Sequence, residues 1–284
     1  MIAMTSFEET PSSVRDTSAA AVRQNADAPA FASFGLAPEL LAAVVDLGYT
    51  QPTAVQQRAI PLALPQADGR RDNLMVSSQT GSGKTAAFLL PVLHALQEQH
   101  EAAAHERKAA WDAQVSAALA RGEPMPKKPR RRNPKNPRHF SASTPAALVL
   151  APTRELAQQV ARDAIDLLRH SQGLHVATVV GGMPYGKQIK QLQNADLVVA
   201  TPGRLLDLQR SGKLKLKQVR FLVVDEADRM LDLGFADALA QIHTLTAQRE
   251  QTLMFSATFA TPIQRLAQRI LPTGEATVHR IQID

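Results

Sequence analysis

A chain of 284 residues can bury a core of its own without disulfide or metal staples. It contains no cysteine, which excludes disulfide frameworks, thiolate zinc sites and cysteine nucleophiles together and leaves oxygen ligands for any metal. The formal charge of +6 and the pI near 9.8 favour a polyanionic partner, and seven Lys or Arg between Pro124 and Arg138 supply about the whole excess.

Residues 1–30 are rich in Ala, Ser, Thr and charge without a helical or strand period, and read as a disordered leader. They hold no apolar signal core, and no stretch of the chain approaches the ~20 apolar residues that span a bilayer. A soluble, cytoplasmic protein without a membrane partner is expected. From Phe31 to Leu64 two amphipathic helices follow, one carrying Leu36, Leu40, Leu41, Val44 and Val45, the other Val55, Ala59 and Ile60; Gly48, Pro52 and Thr53 separate them.

Short apolar runs then recur at helix-sized intervals: Leu74–Val76, Ala147–Leu150, Val176–Val180, Leu197–Ala200, Phe221–Val224 and Leu253–Phe255. Continuous apolar strands alternating with helices predict an α/β fold, a mostly parallel sheet with helices on both faces. Nearly every run ends in a polar or glycine-rich cluster, and in such sheets ligands bind beyond the carboxyl ends of the strands, so the clusters converge on one rim. Glu98 to Ser143 breaks the pattern: an Ala, Glu and Lys rich helical stretch around Trp111 leads into PMPKKPRRRNPKNPR, whose prolines forbid a regular helix or central strand. It reads as an insertion looping out of the domain.

Two clusters carry chemistry. Ser78-Gln79-Thr80-Gly81-Ser82-Gly83-Lys84-Thr85 lies between an apolar strand and a helix-forming run from Ala86 to Leu96. Glycines let backbone amides face an anion, the helix N-terminus adds its dipole, Lys84 neutralises phosphate and the Thr85 hydroxyl suits magnesium. Ser78 stands where the strict phosphate-loop pattern has Gly. The second cluster is Asp225-Glu226-Ala227-Asp228, at the end of an apolar strand. Nucleotide hydrolysis needs acids there, Asp225 to hold Mg2+ largely through water and Glu226 to orient or deprotonate the attacking water. Alone, that string is also an ordinary acidic helix start; the phosphate loop upstream favours the catalytic reading.

Together these residues resemble the DEAD-box family of superfamily 2 RNA helicases, from about Phe34 to Ile283. The resemblance implies a RecA-like ATP-binding domain over residues 31–284, with residues 98–143 as its basic, proline-rich insertion. Gly48-Tyr49-Thr50-Gln51-Pro52-Thr53-Ala54-Val55-Gln56 is similar to the family's Q motif, which assigns Gln56 to the adenine edge, Tyr49 to stacking on the base and Gln51 to the same ATP site. The family's usual phosphate loop reads AQTGSGKT, so Ser78 replaces Ala at a small position. Pro152, Thr153 and Arg154, then Gly181 and Gly182, then Thr201, Pro202, Gly203 and Arg204 correspond to motifs that hold the RNA backbone. Glycine amides, hydroxyls and arginines suit phosphates and read no base edges. Ser256-Ala257-Thr258 resembles the motif coupling hydrolysis to unwinding, and Asp228 is expected to contact it.

The family's second RecA-like domain, with its arginine finger, is not found up to Asp284. An arginine finger is worth roughly 10³ to 10⁵ in rate, so this chain is expected to bind ATP but to hydrolyse it poorly and not to unwind RNA. A module that binds RNA in an ATP-dependent way without helicase activity is the competing reading. A different P-loop ATPase or a DNA helicase is disfavoured by Gln56, Tyr49 and the backbone-binding motifs. For the basic run, a solvated loop without a specific partner and an additional electrostatic handle on RNA both stand.

Overall fold

The computed structural model describes residues 29–127, 141–271 and 277–283. Nearly all of the leader, and the basic run from residue 128 to residue 140, lie outside them. Seven strands form one sheet: β1 (Asn73–Ser77), β2 (Ala147–Leu150), β3 (Val176–Val179), β4 (Leu197–Ala200), β5 (Phe221–Val224), β6 (Gln251–Ser256) and β7 (Val278–Gln282). Their order is β3-β4-β2-β5-β6-β1-β7 and every pairing is parallel. The α/β expectation therefore holds.

Ten helices connect or flank the strands among the described residues: α1 (Pro29–Ala32), α2 (Pro38–Asp46), α3 (Ala54–Ala63), α4 (Lys84–Ala120), α5 (Arg154–Leu167), α6 (Tyr185–Leu192), α7 (Pro202–Arg210), α8 (Ala227–Asp232), α9 (Ala236–Leu245) and α10 (Thr261–Ile270). β1, β2, β4, β5 and β6 are buried along their whole length, because helices cover both faces. One apolar layer joins α1 to α5 to the sheet through Phe31, Leu40, Phe88 and Val160; Phe88 meets Phe255 of β6 edge to face at 5.3 Å. The opposite layer packs α6 to α10 through Leu192, Leu205, Met230, Ile242 and Leu266.

Two features depart from the sequence reading. β7 was not foreseen as a strand; it pairs with β1 at the sheet edge, where Asn73 faces Val278 and Ser77 faces Gln282. Its register is held by Asp72, whose carboxylate accepts hydrogen bonds from His279 Nε2 (3.0 Å) and the Thr277 amide (3.2 Å). Second, α4 runs for 37 residues, with no break at Glu98 where the insertion was placed. Ala, Glu, Lys and Gln are strong helix formers, and neither Gly nor Pro interrupts them between Pro91 and Gly122. Past Gln97 the helix leaves the core and its side chains are mostly exposed. It ends where the Gly122 and Glu123 amides bond back to the Leu119 and Ala118 carbonyls.

Candidate nucleotide and nucleic-acid sites

Strand order sorts the rim into two halves. The clusters after β5, β6 and β1 sit side by side in one half, and those after β2, β4 and β3 in the other. The Ser256-Ala257-Thr258 segment thus lies between the Asp225-Glu226 pair and the glycine-rich loop.

That loop joins β1 to α4. Gly83, the N-cap of α4, has φ +91°, a left-handed conformation that glycine alone adopts freely. A Cβ there would also fall within 3 Å of Gln56 Nε2 and Thr53 Oγ1. Lys84 is buried, and its ammonium donates to the carbonyls of Ser78 (2.7 Å) and Gln79 (3.1 Å) inside the loop it would share with phosphate oxygens. Ser78, also buried, places its hydroxyl 2.9 Å from that of Ser82, so the serine that departs from the usual loop braces it internally.

A cleft of about 590 Å³ opens beside the loop. Of the residues assigned to ATP, Tyr49, Gln51, Gln56, Thr80, Gly81, Gly83, Lys84 and Thr85 line it, together with Asp225 and Glu226; Ser78, Gln79 and Ser82 form the loop behind. Thr53 and Gln56 cap α3 reciprocally: the Gln56 side-chain oxygen accepts from the Thr53 amide at 3.0 Å while the Thr53 hydroxyl accepts from the Gln56 amide. The Gln56 Nε2 amide then donates to the Gly83 carbonyl at 3.1 Å. One buried side chain therefore ties the Tyr49–Gln56 segment to the start of α4. Tyr49, half-buried, has its hydroxyl pKa raised, first by burial and next by Asp163.

The third wall of the cleft was not foreseen. Leu156, Gln159 and Asp163 reach it from α5. Burial, and then the neighbouring Asp166, hold the Asp163 carboxyl above its ordinary range. Their spacing of three and four residues puts them on one face of a helix, which is the signal that was available.

Asp225 is buried at the end of β5. Desolvation, and next the Glu226 carboxylate, push its carboxyl up to about 7, against the pull of the Lys84 ammonium. A buried carboxylate so short of compensating positive charge suits a divalent cation, which Thr85 on the same cleft and phosphate oxygens would help to ligate. No group of three or more His, Cys, Asp or Glu able to hold a metal exists among the described residues; magnesium sites built from one or two carboxylates, water and phosphates need none. Glu226 has φ +48° and ψ 54°, a strained backbone for a residue with a side chain. Asp228 accepts a hydrogen bond from the Ala257 amide at 3.1 Å, the contact expected of it. The same segment is tied to β1, because Ser77 Oγ donates to the Ala257 carbonyl and the Ser78 amide to that of Ser256. Ser256 is buried and its hydroxyl accepts from the Thr258 amide.

In the other half of the rim, Thr153 caps α5 by accepting from the Leu156 amide at 3.2 Å, behind buried Pro152. Arg154, exposed, lies against Gly182: a Cβ on Gly182 would stand 2.4 Å from Arg154 Nη1, and its φ is +75°. Gln188, fully buried, braces the Gly181-Gly182 turn by donating to the Val180 and Met183 carbonyls. Thr201 and Pro202 are buried at the start of α7, which carries Gly203 and Arg204. The Arg204 Nη1 donates to the Met183 carbonyl at 3.2 Å, and its guanidinium lies 4.7 Å from the centre of the Tyr185 ring. Three loops from three adjacent strands thus meet in one strip of arginines and open backbone.

An all-parallel sheet with a glycine-rich loop after one strand and an Asp-Glu pair, its Asp225 buried, after another defines a RecA-like, helicase-type ATP-binding domain. The DEAD/DEAH box helicase family model matches residues 53–266. The chain belongs to that family. It is 38% identical over 243 residues to the ATP-dependent RNA helicase RhlB of Pseudomonas syringae pv. tomato, which covers 84% of this chain and 51% of that protein. To the probable ATP-dependent RNA helicase ddx3 of Dictyostelium discoideum it is 42% identical over 248 residues, 85% of this chain and 30% of the relative. The chain therefore spans about half the length, or less, of these curated relatives. Among solved structures it superposes on a DEAD box protein from Methanococcus jannaschii with TM-score 0.66 and 30% identity, over 90% of this chain and 56% of the other. The corresponding values for S. cerevisiae Dbp5 bound to RNA and ADP BeF3 are 0.64, 29%, 90% and 52%.

Proposed function

We propose that this chain binds ATP with Mg2+ in the cleft between Tyr49, the glycine-rich loop and Asp225, and binds an RNA backbone along the strip from Arg154 to Arg204. The observation that carries the reading is convergence: base-facing, phosphate-facing and acidic residues from four separate segments line one cleft. In this reading Lys84 leaves the Ser78 and Gln79 carbonyls for phosphate oxygens, and Tyr49 and Gln56 seat the base. Glu226 orients the attacking water and accepts its proton. Magnesium, held by Asp225 and Thr85, supplies charge neutralisation at the phosphates. Asp228 and Ser256 relay the state of the cleft to the RNA strip.

Hydrolysis fast enough to remodel or unwind RNA requires a second RecA-like domain joined to this one, as the resemblance implies. The relatives named RNA helicases are long enough to contain it, and the structural neighbour solved with RNA and ADP BeF3 supports the pairing of the two ligands. The test compares ATPase rates, with and without single-stranded RNA, for this chain and for a version joined to a second domain. RNA-stimulated turnover is expected in the joined version alone. Strong stimulation in the 284-residue chain by itself would sink the two-domain requirement. Failure to bind an ATP analogue with Mg2+ would sink the cleft assignment.

A further inference from the structure

Tyr185 belongs to none of the motifs described above. It opens α6 shortly after the Gly181-Gly182 turn, and the residue is 43% exposed. Of the large hydrophobic side chains exposed among the described residues, it is the single aromatic one. Tyr49, by contrast, packs against Phe31 with ring centres 6.4 Å apart. The Tyr185 hydroxyl makes no hydrogen bond among the described residues, so no polar contact explains its position.

The surroundings of the ring are built. The Arg204 guanidinium lies 4.7 Å from its centre, and Arg204 is itself fixed by the Met183 carbonyl at 3.2 Å and by Asp207 at 4.0 Å. Met183 is held in turn by buried Gln188. A cation backs the ring at one side while the residue as a whole is exposed, beside the arginines and glycine amides of the strip. Aromatic rings in such positions take nucleobases by stacking, whatever the base, because every base offers a π-face.

We propose that Tyr185 stacks on one unpaired base of the RNA strand whose phosphates lie along Arg154, Gly181, Gly182 and Arg204. The contact rests on the RNA-binding reading above and adds a base contact to a strip otherwise suited to phosphates. A stacked base must be unstacked from its neighbours, so the contact favours single-stranded RNA, and favours purines over pyrimidines at that position by their larger stacking area.

The test measures binding of the 284-residue chain to a fluorescent single-stranded RNA and to the same RNA with abasic riboses, with Mg2+ and a non-hydrolysable ATP analogue present. Tyr185→Ala is expected to weaken binding to intact RNA about ten-fold and to abasic RNA less than two-fold. Tyr185→Phe and Tyr185→Trp should restore the difference, because ring and not hydroxyl carries it. Equal weakening on both RNAs would mean that Tyr185 only positions Arg204 for phosphate and would overturn the proposal, as would no change on either. Arg154→Ala should weaken both RNAs alike. A wild-type chain that binds neither RNA would remove the RNA reading itself, an outcome distinct from loss of the Tyr185 effect alone.

Discussion

Glu226 combines a strained backbone with the position from which a carboxylate would address the attacking water. A side chain in the left-handed region costs about 1–2 kcal/mol relative to glycine, and here φ is +48°. Glu226→Gly should therefore be more stable than Glu226→Ala by about 1 kcal/mol, measured by urea unfolding of both variants. Glu226→Gln retains shape and hydrogen bonding but no base. It should leave ATP-analogue affinity within about two-fold and lower hydrolysis in the two-domain protein by 10²- to 10³-fold, read in single-turnover experiments. Lys84 makes the complementary case. Its ammonium already sits between two loop carbonyls, so Lys84→Ala should leave the fold intact and weaken ATP binding by more than ten-fold in equilibrium titration.

Among the elements, the segment after β6 is bound on both sides, to Asp228 and to the Ser77-Ser78 end of β1. Asp228→Ala should leave nucleotide affinity nearly unchanged while it lowers RNA stimulation of ATP turnover several-fold, since it frees one side of that bridge and touches no phosphate. β7 makes a second case. The hydrogen bond from His279, then Thr277 and Arg70, hold the Asp72 carboxyl below its ordinary value against the opposing effect of burial. A carboxyl whose pKa is lowered in the folded state stabilises the fold fully above its unfolded value of 3.8, and that stability is lost as pH falls through the lower folded value. Asp72→Asn should thus cost about 1–3 kcal/mol at pH 7, with the gap to wild type closing as pH drops below about 4, followed by urea unfolding across that range. The same contrast between elements explains what was legible in the chain. Of the six strands readable in the sequence, five are covered on both faces and must be apolar throughout; β3, at the edge opposite β7, is covered less fully and still carries the run Val176–Val180. β7 lies at an edge, where His279 and Arg280 remain partly or wholly exposed and only Ile281 is buried, so no apolar run marks it. The motif residues were readable by order and spacing. Gln159 and Asp163 were not, because their spacing puts them on one face of α5 but says nothing of what that face meets, and their neighbours in the cleft come from distant segments.

For the whole molecule, the order of strands places the glycine-rich loop and the acidic pair on one side of the β2–β5 pairing and the strip from Arg154 to Arg204 on the other. β2 ends at Leu150, two residues before Pro152, and β5 ends at Val224, directly before Asp225, so each half begins one strand away from the other. A change at the acidic pair need cross a single inter-strand spacing, about 5 Å, to reach the first residues of the strip proposed to hold RNA. Gly182→Ala tests the integrity of that strip as a unit. The added Cβ meets the Arg154 guanidinium and a left-handed backbone, so RNA affinity should fall at least ten-fold while ATP-analogue affinity holds, as measured by anisotropy for each ligand.

Among the described elements, α4 alone starts in the glycine-rich loop and runs on past the core. At 37 residues it is about 55 Å long, and only its first fourteen residues are wedged in the core. Geometrically its exposed part is a lever arm with its fulcrum near Gln97, where it leaves the core. A tilt of about 5° there carries the tip, about 35 Å away, through about 3 Å. A spin label or fluorophore at Leu119, which is 65% exposed, would magnify small rearrangements of the loop into a distance that spectroscopy resolves with ease.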